Sequence, residues 1–150
     1  MPQFVLKCVP NKPHWWPKGR AYQNVDRDLR DFACAYVEAL FFTNGDSGDD
    51  DEFSFNRLGA ERLTQAARAI IVSDCALFLS VQTRAVIDAC SGDYEQAGHD
   101  FWFTRQGHGA GFWAREDDVW PEAVRDFLTA RSKDFREVYM YRQKGWIYAG

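Results

Sequence analysis

Between residues 26 and 42, hydrophobic side chains recur at intervals of three and four, which is the spacing of one face of an α-helix. Asp26 stands just before the first of them, where an N-cap carboxylate accepts hydrogen bonds from the free N–H groups of the first turn. The pattern therefore predicts an amphipathic helix from Asp26 to Phe42. Its inward positions are Leu29, Phe32, Ala33, Tyr36, Val37 and Leu40.

The helical spacing returns after residue 62. Apolar residues from Leu63 to Ile71 predict a second helix, and residues 76–90 predict a third helix or a continuation of the second, because the breakers near Ser73 and Asp74 are weak. Between the first two helices, glycines and clustered acids interrupt the pattern over residues 44–56. This segment is predicted to be an exposed acidic loop.

After Gly92 the spacing becomes alternating, which is typical of strands. Residues 99–106 and 111–115 are predicted to form a hairpin with its turn at Gly107–Gly111. Pro121 suits the first turn of a helix that runs to about Ser132. Residues 137–142 and 146–148 predict a second hairpin across residues 143–145. The C-terminal half, residues 97–150, is thus predicted to be ββαββ, one antiparallel sheet on which the N-terminal helices pack.

The first 25 residues are predicted to form a strand followed by an arm. Phe4 to Val9 is a short β-prone run that ends at Pro10, and residues 11–20 are too rich in proline and glycine for a helix. With residues 26–92 as the helical part and 97–150 as the ββαββ part, the chain is predicted to be a single α+β domain over residues 1–150. A domain of this length buries enough surface to fold without stabilising disulfides or a bound metal.

Charge is distributed unevenly along the chain, although the net value is only −4. Residues 1–30 carry six Lys or Arg against two acids, and residues 31–56 carry seven acids and no Lys or Arg. No segment supplies a uniformly basic face, so direct binding to duplex DNA is not expected. The mixed surface favours a protein or nucleoprotein partner.

The cysteines and the hydropathy of the chain indicate the cellular compartment in which the protein is expected. Cys8, Cys34, Cys75 and Cys90 are scattered singly without a CxxC pair, and they are predicted to be buried free thiols. No run of 18 apolar residues occurs, so no membrane span is expected. The chain is therefore predicted to lie in a reducing cytoplasm.

The most distinctive string is AGHDFWFTRQGHGAGFWAR, residues 97–115. It resembles a segment close to AGHDFW-x-TR-x-GHGAGFW that recurs in small proteins of phages, prophages and plasmids. The resemblance extends more loosely over residues 33–148. This chain departs from the family at Gln106, where Asn is usual, and at Ala114, where Asp commonly precedes the arginine. The resemblance implies a mobile-element accessory protein in a bacterial host cell, a setting in which small proteins often disarm host defences such as CRISPR effectors.

Two functional hypotheses follow. In the first, the protein is a non-enzymatic inhibitor that contacts a host protein or nucleoprotein complex. Its candidate contact residues are the acids of the loop and two tryptophans of the arm: Asp46, Asp49, Asp50, Asp51, Glu52, Trp15 and Trp16. Complementary charge would speed the association. The tryptophans have a second interpretation, in which they fold back onto the domain.

The alternative hypothesis is a small metal-dependent hydrolase or nuclease. Two imidazoles and a carboxylate, His99, Asp100 and His108, with Arg105 beside them, have the chemistry of a metal site or an acid–base pair. The histidines are nine residues apart, a spacing that fixes no ligand geometry. No metal or other cofactor is therefore predicted, and the first hypothesis is preferred. For Trp102 and Trp113, an exposed platform and a place in the core both stay open.

Overall fold

The computed structural model describes residues 13–23, 25–45 and 59–150. In these ranges the chain is mostly helical and carries one two-stranded antiparallel sheet. The helices are α1 (Arg27–Gly45), α2 (Gln65–Phe78), α3 (Val81–Cys90), α4 (Tyr94–Arg105) and α5 (Glu122–Lys133). The strands are β1 (Met140–Gln143) and β2 (Trp146–Ala149), and short 3-10 turns lie at Arg20–Tyr22, Ala60–Arg62 and Phe112–Ala114.

Polar side chains cap the first four helices at their starts, whereas α5 begins after Pro121 without a side-chain cap. Asp26 Oδ1 accepts a hydrogen bond from the Leu29 N–H at 2.9 Å, which confirms the predicted N-cap of α1. Thr64 caps α2 by accepting from the Ala67 N–H at 3.1 Å. Ser80 caps α3, so the break between the second and third helices lies at residues 79–80 and not near residues 73–74.

The predicted hairpin over residues 99–115 is wrong, because residues 94–105 form helix α4. Asp93 caps this helix through the Gln96 N–H, and Gly107, with φ of 71°, takes the left-handed position just past its end. The His108 N–H then donates to the Phe103 carbonyl at 3.0 Å, and the Gly107 N–H donates to the Thr104 carbonyl at 3.2 Å. These two bonds form a Schellman motif, so Gly107 ends a helix and does not turn a hairpin.

The reason for this error is the burial of α4. Residues 100–105 are all buried, and none is more than 8% exposed. A helix that is covered on every side has no polar face, so its sequence loses the 3.6-residue period that identifies an amphipathic helix. The predicted ββαββ arrangement of residues 97–150 therefore reduces to α4, α5 and one hairpin.

Helix α4 packs against α1 at very close range. A Cβ atom on Gly98 would lie 2.1 Å from the Phe32 carbonyl oxygen, so only glycine permits this approach of the two backbones. Beside this crossing, the ring centroids of Phe78 and Phe101 are 4.1 Å apart. Phe32 stacks on both of these rings, so the centre of the core is an aromatic cluster.

The second predicted hairpin is confirmed. Strands β1 and β2 pair in a register that places Tyr141 opposite Tyr148, and the turn residues Lys144 and Gly145 both have positive φ, as a two-residue hairpin turn requires. Ile147 is fully buried, and its carbonyl accepts from the Thr64 N–H at 3.0 Å. One face of the hairpin is thereby attached to the start of α2.

In the described part of the arm, Trp15 and Trp16 are 0% and 5% exposed, and Trp16 Nε1 donates to the Tyr22 carbonyl at 2.9 Å. The fold-back interpretation is confirmed, and these two rings do not form an exposed contact surface. The predicted strand from Phe4 to Val9 and residues 46–56 of the acidic loop lie outside the described residues.

The prediction of buried free thiols is wrong for Cys34, and Cys90 is only half-buried. Cys34 is disulfide-bonded, whereas Cys75 and Cys90 are free. A disulfide is more typical of an oxidising compartment than of a reducing cytoplasm. Within the described ranges, no single helix is long and apolar enough to cross a membrane, although α2 and α3, bent by 70° at their junction, reach that length and composition together.

Candidate functional site

Asp100 lies at the centre of the segment that was predicted to carry chemistry. Its carboxylate is 0% exposed and accepts four hydrogen bonds. Arg115 donates to Oδ1 through Nε at 2.9 Å and Nη2 at 2.7 Å, while Trp120 Nε1 at 2.8 Å and Gln96 Nε2 at 3.0 Å donate to Oδ2. A buried carboxylate requires such partners. Asp100 therefore ties the chain that follows α4 back onto the helix and has no oxygen turned toward a cleft.

Arg105 plays a similar structural part at the end of α4. Its guanidinium donates to Asp74 Oδ2 at 2.9 Å and to the Tyr36 hydroxyl at 3.1 Å. Nε and Nη2 both donate to the Arg136 carbonyl, at 3.0 and 2.6 Å. Burial opposes the charge of Arg105, but Tyr36 and Asp74 outweigh it, so the pKa of Arg105 is raised. The side chain stays charged and links three parts of the chain.

The two histidines lie in different surroundings. His99 faces α1, where its Nε2 is 3.8 Å from Glu38 Oε1 and has no hydrogen-bond partner. His108 is exposed beyond the end of α4, and its ring meets the edge of Phe103 with centroids 5.9 Å apart. Since Asp100 and Arg105 are engaged elsewhere, the structure does not bring the four predicted catalytic residues together. Among the described residues, no group of three His, Cys, Asp or Glu side chains is placed to hold a metal ion.

Two clefts formed by the described residues lie away from these four residues. One cleft of about 490 Å³ is bordered by the start of α1 and the turn before α4, and its lining includes Asp28, Asp31, Asp93 and Glu95. Another, of about 520 Å³, lies between α3 and α5 and is lined in part by Phe127 and Arg131. Neither is lined by His99, Asp100, Arg105 or His108. Neither of these two clefts can therefore serve the predicted hydrolase site.

The glycine-rich loop after α4 presents one large apolar side chain. Trp113 is 53% exposed, whereas Trp102 is 1% exposed and donates from Nε1 to Thr43 Oγ1 at 2.9 Å. The residue before Trp113 is fixed, because the Phe112 N–H donates to Thr104 Oγ1 at 3.1 Å and the Phe112 ring is fully buried. We call the exposed residues His108, Gly109 and Trp113 the loop surface. Of the two tryptophans that could have formed an exposed platform, Trp113 is exposed and Trp102 lies in the core.

A second exposed surface was not singled out by the sequence. On the outer face of the hairpin, Tyr141 stacks on Tyr148 with centroids 5.1 Å apart and on Tyr139 with centroids 5.6 Å apart. Trp146 lies on the same face, with the Arg62 guanidinium 5.4 Å from its ring centroid. We call these four rings the tyrosine face. The signal was present in the sequence, since aromatic residues alternate at 139 and 141 and again at 146 and 148.

The predicted contact acids Asp46, Asp49, Asp50, Asp51 and Glu52 lie outside the described residues. Comparisons with models of protein families, with curated proteins and with solved structures found no match. Among the described residues, the loop surface and the tyrosine face are the candidate contact surfaces.

Proposed function

We propose that this chain is a non-enzymatic accessory protein that acts by binding another protein through its loop surface. The observation that carries the proposal is the exposure of Trp113. Its large apolar side chain is in contact with solvent, and the residues on both sides of it are held by buried contacts. Tryptophan is enriched among the residues that dominate binding energies, and its ring offers a large apolar contact area to a partner. The hydrolase alternative has no such support, because His99, Asp100, Arg105 and His108 lie in separate surroundings.

The support of Trp113 reduces the cost of binding. Phe112 on one side is buried and bonded to Thr104, and Arg115 on the other is paired with Asp100 at 2.7 Å. A side chain held in this way loses little backbone freedom when a partner covers it. The buried polar groups of residues 97–115 thus serve the function indirectly, by fixing the segment that carries Trp113.

The class of partner follows from charge and from the resemblance of residues 97–115 to proteins of phages, prophages and plasmids. Five acids lie between Asp46 and Glu52, in a stretch that has no Lys or Arg from residue 31 to residue 56. Such a segment favours a partner with a basic surface, which proteins that handle nucleic acids commonly have. We therefore propose a host-defence protein or nucleoprotein complex, such as a CRISPR effector, as the target in the bacterial cell.

The test is an affinity capture from a bacterial host lysate, with the bound proteins identified by mass spectrometry. The wild-type protein is expected to retain a stoichiometric partner, and Trp113→Ala is expected to lose affinity for it by about 30-fold, the effect of a typical hot-spot residue. Tyr139→Ala is the matched control, because Tyr139 is 70% exposed on the hairpin and lies outside the loop surface. Equal affinity of Trp113→Ala and wild type for the captured partner would contradict the proposal.

The acidic residues give a separate prediction. Replacing Asp49, Asp50 and Asp51 together by Asn is expected to change the free energy of unfolding by no more than about 0.5 kcal/mol, as is usual for surface substitutions. Association with the captured partner is expected to slow at low salt, and the difference from wild type should shrink as salt is raised. Stopped-flow or surface-binding kinetics measure both effects. A wild-type association rate at low salt would remove these acids from the contact.

A further inference from the structure

We infer that the tyrosine face is a binding surface for single-stranded nucleic acid. The inference is independent of the proposed function, because it concerns a different surface and a different class of partner. It starts from the arrangement of the rings. Tyr148, Tyr141 and Tyr139 form a continuous stack, with adjacent planes inclined by only 7° and 24°.

The stack has an open end. Tyr139 is 70% exposed, although one side of its ring is covered by Tyr141. A nucleobase that lies on the other side would extend the row of rings. Stacking of this kind is available to every base, because each base has a π face. At the other end of the face, Trp146 is 42% exposed and offers a further ring.

The charges around the tyrosine face suit an anionic chain. Arg62 lies over Trp146, and Lys144 is exposed in the hairpin turn. Lys18 and Arg20 are exposed on the arm, whose backbone lies beside the start of α2, where Gln65 Nε2 donates to the Lys18 carbonyl at 3.3 Å. Among the described residues, the acids in the neighbouring segments are Glu61 and Glu137, and Glu61 lies 3.8 Å from His14. In these segments the exposed cations therefore outnumber the named acids.

A single strand fits these features better than a duplex. Duplex bases are stacked on one another and paired, so their faces are not available to the tyrosine rings. In a single strand, the faces are free and the phosphates lie beside them, where Arg62 and Lys144 can neutralise them. A protein partner could also pack against these rings. The neighbouring cations, however, match the phosphates of a nucleic acid, and we therefore favour a nucleic acid.

The experiment is a titration of fluorescein-labelled oligo-dT of about 12 nucleotides, within the usual length of such sites, followed by fluorescence anisotropy. The wild-type protein is expected to bind at low salt, and a duplex of the same length is expected to bind more weakly. Tyr139→Ala should lose about tenfold in affinity, and Tyr139→Phe should retain wild-type affinity because the ring is kept. Replacing Arg62 and Lys144 together by Gln should lower the salt dependence of binding.

Trp113→Ala is the control, since it removes an exposed ring from the loop surface and should leave oligonucleotide affinity unchanged. Thermal unfolding of each variant establishes that it is folded, which is expected because Tyr139 is mostly exposed. No binding of the oligonucleotide by the wild type at low salt would overturn the inference. Equal losses in Tyr139→Ala and Trp113→Ala, or tighter binding of the duplex, would overturn it as well. Loss of the captured protein partner in Tyr139→Ala, with oligonucleotide affinity kept, would assign the face to protein instead.

Discussion

Helix α4 and the C-terminal hairpin are both rich in aromatic residues but use them in opposite ways. In α4, Phe101, Trp102 and Phe103 are all buried, although they are consecutive and point in different directions. In the hairpin, burial is confined to one face, where Met140 and Ile147 contact the core, while the rings on the other face remain in contact with solvent. The second half of the helix, residues 100–105, is thus buried on every side, and the hairpin on one side only.

The same contrast holds for polar groups. Asp100 and Arg105 of α4 are buried and have several partners each, as buried charges require. The charged residues of the hairpin, such as Lys144, are exposed. An unusual string of residues can therefore reflect the demands of a crowded core. On the hairpin, the surface available for binding is the face whose aromatic side chains are not needed for folding.

The largest expected effect is that of Asp100→Asn. The substituted amide would place an N–H group where Trp120 and Gln96 now donate to Oδ2, and it would leave the Arg115 charge without its partner. Breaking a buried pair in this way should lower the free energy of unfolding by about 3 kcal/mol. Urea unfolding measures it, with the exposed residue Asp118→Asn as control. A loss below about 1 kcal/mol would mean that Asp100 is not a structural anchor.

Next in size is the effect of adding a methyl group to Gly98. The new Cβ would lie 2.1 Å from the Phe32 carbonyl oxygen, so α1 and α4 must separate. We expect Gly98→Ala to cost about 2 kcal/mol, since overpacking outweighs the better helix propensity of alanine. Gly109→Ala is the matched control, because nothing lies within 4 Å of the corresponding position and its φ is not positive. Similar melting temperatures of the two variants would contradict the close packing of α1 and α4.

An exposed ion pair should have the smallest effect. Arg84 donates to both oxygens of Asp26, at 3.0 Å each, but the Asp26 side chain is 53% exposed and the pair is screened by water. Asparagine can still cap α1, so Asp26→Asn should cost no more than about 1 kcal/mol.

The difference in the free energy of unfolding between wild type and Asp26→Asn should depend on pH. Burial raises the pKa of Asp26, but hydrogen bonds from Arg84 and from the Leu29 N–H outweigh it, and the folded-state pKa lies below the ordinary value of 3.8. The stabilisation is therefore complete above pH 3.8 and is lost as the pH falls through the lowered pKa. Unfolding of both proteins across this range checks it. A difference that persists unchanged at lower pH would exclude ionised Asp26 as its source.

The contrast between the two regions also explains what the sequence could predict. Helix α1 and the hairpin each bury one face, so their hydrophobic periods are visible, and Asp26 and Gly145 mark a cap and a turn. Helix α4 has no such period, and Gly107 carries the same signal whether it ends a helix or turns a hairpin. The partners of Asp100 and Arg105 could not be predicted, because Arg115, Trp120 and Arg136 are brought to them by tertiary packing.

Amide hydrogen exchange followed by NMR tests the central claim, that residues 94–105 are a helix committed to the fold, most directly. The amides of Phe101 to Arg105 are expected to exchange only through global unfolding, because residues 100–105 of this helix are all buried. The hairpin, a two-stranded sheet with one face in solvent, should open locally and exchange faster. Exchange of the α4 amides as fast as those of the hairpin, or cross-strand contacts between residues 99–106 and 111–115, would contradict the account.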